Sequence, residues 1–370
     1  MRYLYKEGVQ VNICMIANTA IESIESDFDF SGVQEVLNNS IVRDRLDFKE
    51  ILSDMILGEG KISFEKMWNL LMDALFLDVS YYKEAIMLLI LIGISAAVFA
   101  NISSAFAEGQ VAETSFYITY LLFVSVIVVA FYTVSDTAAK VLSDVSDFME
   151  ALVPSFFLAV GMVSGSAASV IFYEIALCVI LVVDKVLLNI IIPLINVYVV
   201  LIMVNYLSKE DFLTKLAELL QTAVKWLLNT LLALTLGLNV IQGLIMPLAG
   251  SVKNSALVKA VSIIPGIGSG AGAVWETMLG TGAIIKNGIG TAALVAIIFM
   301  ALMPLVKMAV FVLMYQGAGA VLQPISDKRV NEALSGVCEG AKMLLRTVFM
   351  TVVLFAVSIA IICASTNGGV

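Results

Sequence analysis

Six ionisable side chains fall in or beside long apolar runs: Glu174, Asp184, Lys185, Glu276, Lys286 and Lys307. A charge at the centre of a bilayer costs about 2.5–3.5 kcal/mol on insertion scales, so such groups are rare and face a partner or a wet cavity. By counting, Glu174 and Lys307 lie deepest in their runs. They are candidates for an intramembrane ion pair or for lining a path. The alternative is that each reaches an interface along its own helix. Asp184-Lys185 reads as a tight interfacial turn between two spans. Lys307 follows Pro304 by about one turn, so its ammonium can serve a carbonyl that the proline leaves without a donor. Asn189, Asn196, Asn205 and Gln316 read as hydrogen-bonding groups between helices.

Residue types exclude other chemistries. The chain has no histidine, which removes the Ser-His and Cys-His dyads and the commonest zinc ligand. Cys14, Cys178, Cys338 and Cys363 are widely separated and form no Cys-x-x-Cys. Cys178 and Cys363 lie in apolar runs and read as small buried thiols, and the four do not read as a disulfide or metal set. Pro265-Gly-Ile-Gly-Ser-Gly-Ala-Gly lacks the Gly-Lys-Ser/Thr ending of a phosphate loop and follows no strand. No catalytic residue, cofactor or metal is expected, and the chain does not read as an enzyme. Net charge is −9, from 21 basic and 30 acidic residues, with no basic stripe for nucleic acid.

The elements that must hold these residues are helices in lipid. The 370 residues are 60% hydrophobic and 14% charged, where soluble domains carry about 25% charged residues. The run from Leu187 to Val204 offers water only Asn189 and Asn196. About 20 such residues match the roughly 30 Å hydrocarbon core of a bilayer. The fold class is therefore all-α, a polytopic integral membrane protein with about 8–10 spans or half-spans. Residues 1–82 form a polar, acidic N-terminal region with no convincing signal peptide. It carries two amphipathic helices, Phe48–Leu57 and Ile62–Phe76. Residues 83–370 form the multi-spanning domain. Its spans are Ala85–Phe106, Phe116–Val134, Val170–Val183, Leu187–Leu207, Trp226–Met246, Thr291–Tyr315 and Thr347–Cys363. Polar amphipathic stretches separate them at Ser135–Glu150, Ser208–Lys225 and Ser326–Arg346.

An internal repeat is visible at an offset of 111 residues, where Pro154 matches Pro265 and Pro193 matches Pro304. At a looser offset, the helix around Lys225 matches that around Lys342. The halves are about 116–225 and 226–346, followed by the final span 347–363. Pro/Gly-broken segments at matching positions mark translocation sites in repeat-built transporters. The candidate path or gate is thus Pro154, Gly161 and Gly165 in one half, with Pro265, Gly266, Gly268 and Gly270 in the other. The alternative is that these small residues only let helices approach closely. If the Pro154 segment re-enters, each half has three crossings. If it crosses, each has four, and the positive-inside rule then puts Lys209, Lys215, Lys225, Lys328, Arg329, Lys342 and Arg346 on one side.

Four short stretches carry a resemblance. They are Ile263-Ile-Pro-Gly-Ile-Gly-Ser, Ile284-Ile-Lys-Asn-Gly-Ile-Gly, Ala301-Leu-Met-Pro-Leu-Val-Lys and Tyr315-Gln-Gly-Ala-Gly-Ala-Val-Leu-Gln-Pro-Ile-Ser-Asp. Their order is similar to the IPxxG, KNxIG, FPxxK and AAAxxQPxxD succession of the stage III sporulation protein AE family of endospore-forming Firmicutes. Met303 stands where the third motif has phenylalanine, and Gly319 interrupts the alanines of the fourth. The resemblance covers about residues 28–365, more loosely at the N-terminus. It implies a membrane subunit of a feeding-tube-like, secretion-like channel complex between mother cell and forespore, needed for late forespore gene expression. It also implies as partners the other mother-cell stage III membrane proteins and, through them, a forespore protein. The implied location is the mother-cell membrane around the forespore. The residues alone leave two alternatives open: an autonomous secondary transporter of a small solute, and a purely structural membrane scaffold.

Overall fold

The polar stretches are not separate helices; each runs without a break into the apolar run that follows it. The computed structural model describes residues 28–40, 47–57, 109–164, 167–207, 212–262 and 268–365, most of 82–95 and a few isolated positions before residue 100. Two short helices come first, α1 (Ser31–Asn39) and α2 (Phe48–Leu57). The bundle follows: α3 (Gly109–Ser164), α4 (Ala167–Val186), a π-helical turn (Leu187–Ile191), α5 (Ile192–Asn205), α6 (Thr214–Ser262), α7 (Gly268–Leu322) and α8 (Lys328–Ser365). No strand occurs among the described residues. Among the described residues, five helical stretches are long and apolar enough to cross a membrane. The all-α, multi-pass reading therefore holds.

The long helices require three corrections to the expected boundaries. Ser135–Glu150 is not a separate amphipathic helix but the middle of α3. Ala138, Val141, Leu142, Val145, Phe148 and Met149 recur at helical spacing and are buried, so this stretch has a core stripe of its own. Asp136, Lys140, Asp147 and Glu150 occupy the outer face. The chain also does not break at Pro154 or Gly161. Helix α3 runs through both to Ser164, and α4 starts at Ala167. A proline inside a helix removes one backbone hydrogen bond, and the surrounding turns carry the helix past it. Finally, Asp184-Lys185 is not a turn. Both residues are helical, and the rod continues through the π turn into α5. The Asn189 amide donates to the Lys185 carbonyl at 2.9 Å, within its own helix and not between helices.

Helix α3 and the α4–α5 rod form one long antiparallel hairpin. The Tyr120 hydroxyl donates to the Met203 carbonyl at 2.8 Å, and Ser135 donates to Asn196 at 2.8 Å. Lys185 pairs with Glu150 at 3.0 Å. Helices α7 and α8 form a second hairpin. Gly319 meets Leu334 near its turn, and Gly290 meets Cys363 and Ile359 at its far end. Helix α6 runs alongside α8 in the same direction, joined by Lys225–Glu339 at 2.7 Å and by Arg346 donating to Asn229. Asn205, buried, fastens the bend between α5 and α6 by accepting from the Leu213 N–H and donating to Thr214, each at 2.8 Å.

The N-terminal helices pack on this bundle. Phe48 stands between Phe30 (5.2 Å) and Phe148 of α3 (6.0 Å). Ser155 of α3 donates to the Asp29 carbonyl at 2.9 Å. The Ser31 backbone N–H and side chain hold the Asp29 carboxyl below its usual range. Tyr82 packs edge-on against Phe311 of α7 at 5.5 Å. The expected helix Ile62–Phe76 lies outside the described residues.

Candidate functional site

The turn between α7 and α8 is built from the last of the four stretches quoted above. The Gln323 N–H donates to the Gly319 carbonyl, and Ser326 N–H to Leu322, which winds the chain tightly past Pro324. Asp327 then caps α8, its carboxylate accepting from the Arg329 N–H at 2.9 Å. The Arg329 guanidinium lies 3.5 Å over the Phe116 ring at the start of α3. One turn thus anchors the second hairpin to the first. Beside it, a polar groove of about 310 Å³ opens between α7 and α8. Gln316 lines it from α7, Gln323 from the turn that follows, and Asn331, Ser335, Glu339 and Lys342 from α8.

Glu339 is the electrostatic centre of this groove. Its carboxylate accepts from Lys225 at 2.7 Å and from Gln221 at 3.1 Å, both on α6, and lies 3.7 Å from Lys342. The lysines of the two basic stretches, on α6 and α8, therefore meet at one level of the bundle. Two glycines flank Glu339 on the inner face of α8. Gly336 lies against Ile202 of α5, and Gly340 against Val199 of α5 and Phe131 of α3. Small residues four apart allow this close backbone approach.

Two further buried polar contacts lie on α8, well apart from each other. Asp184 is 2% exposed and accepts a hydrogen bond from Thr351 of α8 at 2.8 Å. Lys286, 0% exposed, donates to the Cys363 carbonyl near the end of α8 at 2.9 Å.

The residues expected to form a path are placed as follows. Pro154 and Gly161 are exposed on the outer face of α3. Gly268 begins α7 and Gly270 lies in its first turn. Gly165, Pro265 and Gly266 fall outside the described residues. Glu174 is exposed on α4 and Lys307 is half-buried on α7. Cys178, Cys338 and Cys363 form no disulfide among the described residues, and Cys178 is exposed, not buried as its apolar run suggested. Glu339 and the Gly336/Gly340 pair were not singled out from the sequence. The glycine spacing was visible there; the Glu339 contacts to α6 were not, since they join positions more than a hundred residues apart.

A family described as Stage III sporulation protein AE (spore_III_AE) matches residues 46–366. Stage III sporulation protein AE of Bacillus subtilis (strain 168) is 22% identical over 320 residues, covering 86% of this chain and 80% of the relative. No solved structure matches the chain.

Proposed function

Because the chain belongs to the stage III sporulation protein AE family, we propose that it is a membrane subunit of a channel-like complex linking mother cell and forespore. Its sporulation role and its multi-pass character follow from the family and the five apolar helices. The further steps, into a complex and into the mother-cell membrane around the forespore, are this proposal. So is the gating role of the Pro154–Ser169 and Pro265–Gly290 segments. The reading assigns the chain no catalysis.

One observation carries it. Helix α3 has 56 residues, about 84 Å at 1.5 Å per residue. Exposed apolar side chains lie on both sides of its charged Asp136–Glu150 belt, with Leu121 55% and Leu158 58% exposed. These two positions are 37 residues apart, about 55 Å along the helix. A hydrocarbon core of roughly 30 Å covers one of them and not both. The other apolar surface calls for protein, as in a subunit of a larger assembly. An autonomous transporter would leave it bare.

The test is cross-linking in sporulating cells from cysteines placed at Leu121 and Val129, and separately at Leu158. One of the two sets is expected to cross-link to other stage III membrane proteins, with the adduct lost when those proteins are deleted. If neither set cross-links and the purified chain alone moves solute across liposomes, the autonomous-transporter reading replaces this one.

A further inference from the structure

We propose that Asp184, Ser146 and Thr351 form a monovalent-cation site within the helix bundle, occupied by a proton or by a sodium ion. The three side chains come from α4, α3 and α8. Thr351 satisfies one carboxylate oxygen of Asp184 at 2.8 Å. The other oxygen is buried and has no hydrogen-bond partner, and neither has the buried Ser146 hydroxyl that stands beside the carboxylate. Near neighbours along the three helices, Val145, Leu187 and Val348, are fully buried. An ionised carboxylate with a bare oxygen in such surroundings is costly. A proton on the bare oxygen turns it into a donor to the Ser146 hydroxyl and satisfies both atoms at once. A small cation between the same two oxygens does likewise.

No lysine or arginine supplies the missing counter-charge among the described residues. On α3, Lys140 pairs with Asp136 at 2.8 Å. Glu150 is held by Lys185, which stands one residue further along α4 on the outer surface. Asp147 faces outward and accepts from Ser143. On α8, Arg346 is engaged by Asn229, and Thr347 donates to its own helix at Met343. Helix α6 carries no charged residue from Trp226 to Val252. The carboxyl is therefore enclosed on the core side and adjoins, through Asp147 and the Lys185–Glu150 pair, the exposed belt from which a cation would enter. The π turn Leu187–Ile191 begins three residues after Asp184. Such widened turns cluster at functional sites, where they re-aim side chains and backbone. The site rests on the geometry of the bundle and is independent of the sporulation reading.

Infrared difference spectroscopy on the purified full-length protein tests this, with Asp184→Asn as the reference. In choline chloride, a protonated-carboxyl band is expected in acidic buffer, lost on passing to alkaline buffer, and absent from the variant. If sodium chloride removes the band where potassium and choline chlorides do not, the occupant is sodium; if no salt affects it, the occupant is the proton. Should Asp184→Asn fail to fold, Thr351→Val, which removes the donor to one oxygen, is expected to shift the same band. No band attributable to Asp184, or a band that neither alkali nor sodium removes, overturns the proposal.

Discussion

Gly340→Leu is expected to leave little folded protein in the membrane. Gly340 lies at a point where α8 is pressed between two neighbours. A Cβ there would run into the Val199 side chain of α5 and come within 3.3 Å of the Phe131 ring of α3. One turn earlier, a Cβ on Gly336 would run into Ile202. Leucine adds four carbons to a contact that has no room for one. Overpacking a core commonly costs about 1–3 kcal/mol. Here the intrusion meets packed side chains from two helices, so the upper end of that range or beyond is expected. Against a typical total stability of about 5–15 kcal/mol, that is a large share. The control is Gly317→Leu, where nothing lies within 4 Å. Melting temperatures of the detergent-purified proteins, with membrane levels by immunoblot, should separate the two: a large drop for position 340 and little change for 317. Equal behaviour would remove close glycine packing as the joint between the hairpins.

The second large effect concerns Glu339. Glu339→Lys puts a third cation beside Lys225 and Lys342 and removes the carboxylate counter-charge that both face. The groups are partly exposed, so each pair contributes about 1 kcal/mol or less. Reversal converts those attractions into repulsions and leaves Gln221 without its acceptor, so the loss exceeds that of simple deletion. Restoring the opposite order of charge with Lys225→Glu should recover much of it, since contacting pairs show coupling energies of about 0.5–3 kcal/mol. A double variant no more stable than Glu339→Lys alone would mean that this pair does not join α6 to α8.

The fold class was legible because uninterrupted apolar runs have one solution in lipid. The helix boundaries were not. Ser135–Glu150 carries enough charge to look like a separate surface helix. The six apolar positions that tie it to the core only gain meaning once α8 and the α4–α5 rod are placed beside it. Asp184-Lys185 misled for a related reason. Two charges in sequence suggest an exit to water, yet successive helical residues point about 100° apart. Here the aspartate turns inward to Thr351 while the lysine turns outward to Glu150. Asn196 did bridge helices, as expected from a lone amide in an apolar span, and Asn205 took the bend instead. The Gln-Pro-x-x-Asp element was recognisable as a motif, but its physical role, capping α8 and setting Arg329 on Phe116, needed the fold. Pro154 stood out as a break. It lies inside a continuous helix, because a proline costs one hydrogen bond and not the whole rod.

Helix α3 is a single helix that carries lipid- or protein-covered ends and a water-exposed middle. The direct measurement is single-cysteine reactivity toward a membrane-impermeant maleimide in native membranes opened so that the reagent reaches both faces. Thiols placed at Lys140, Asp147 and Glu150 should react readily. Thiols placed at Leu121 and Leu158, although equally exposed on the bare bundle, should stay unreactive, since a thiol kept from water does not ionise. Comparable reaction at all five positions, or protection of the acidic middle, would contradict it.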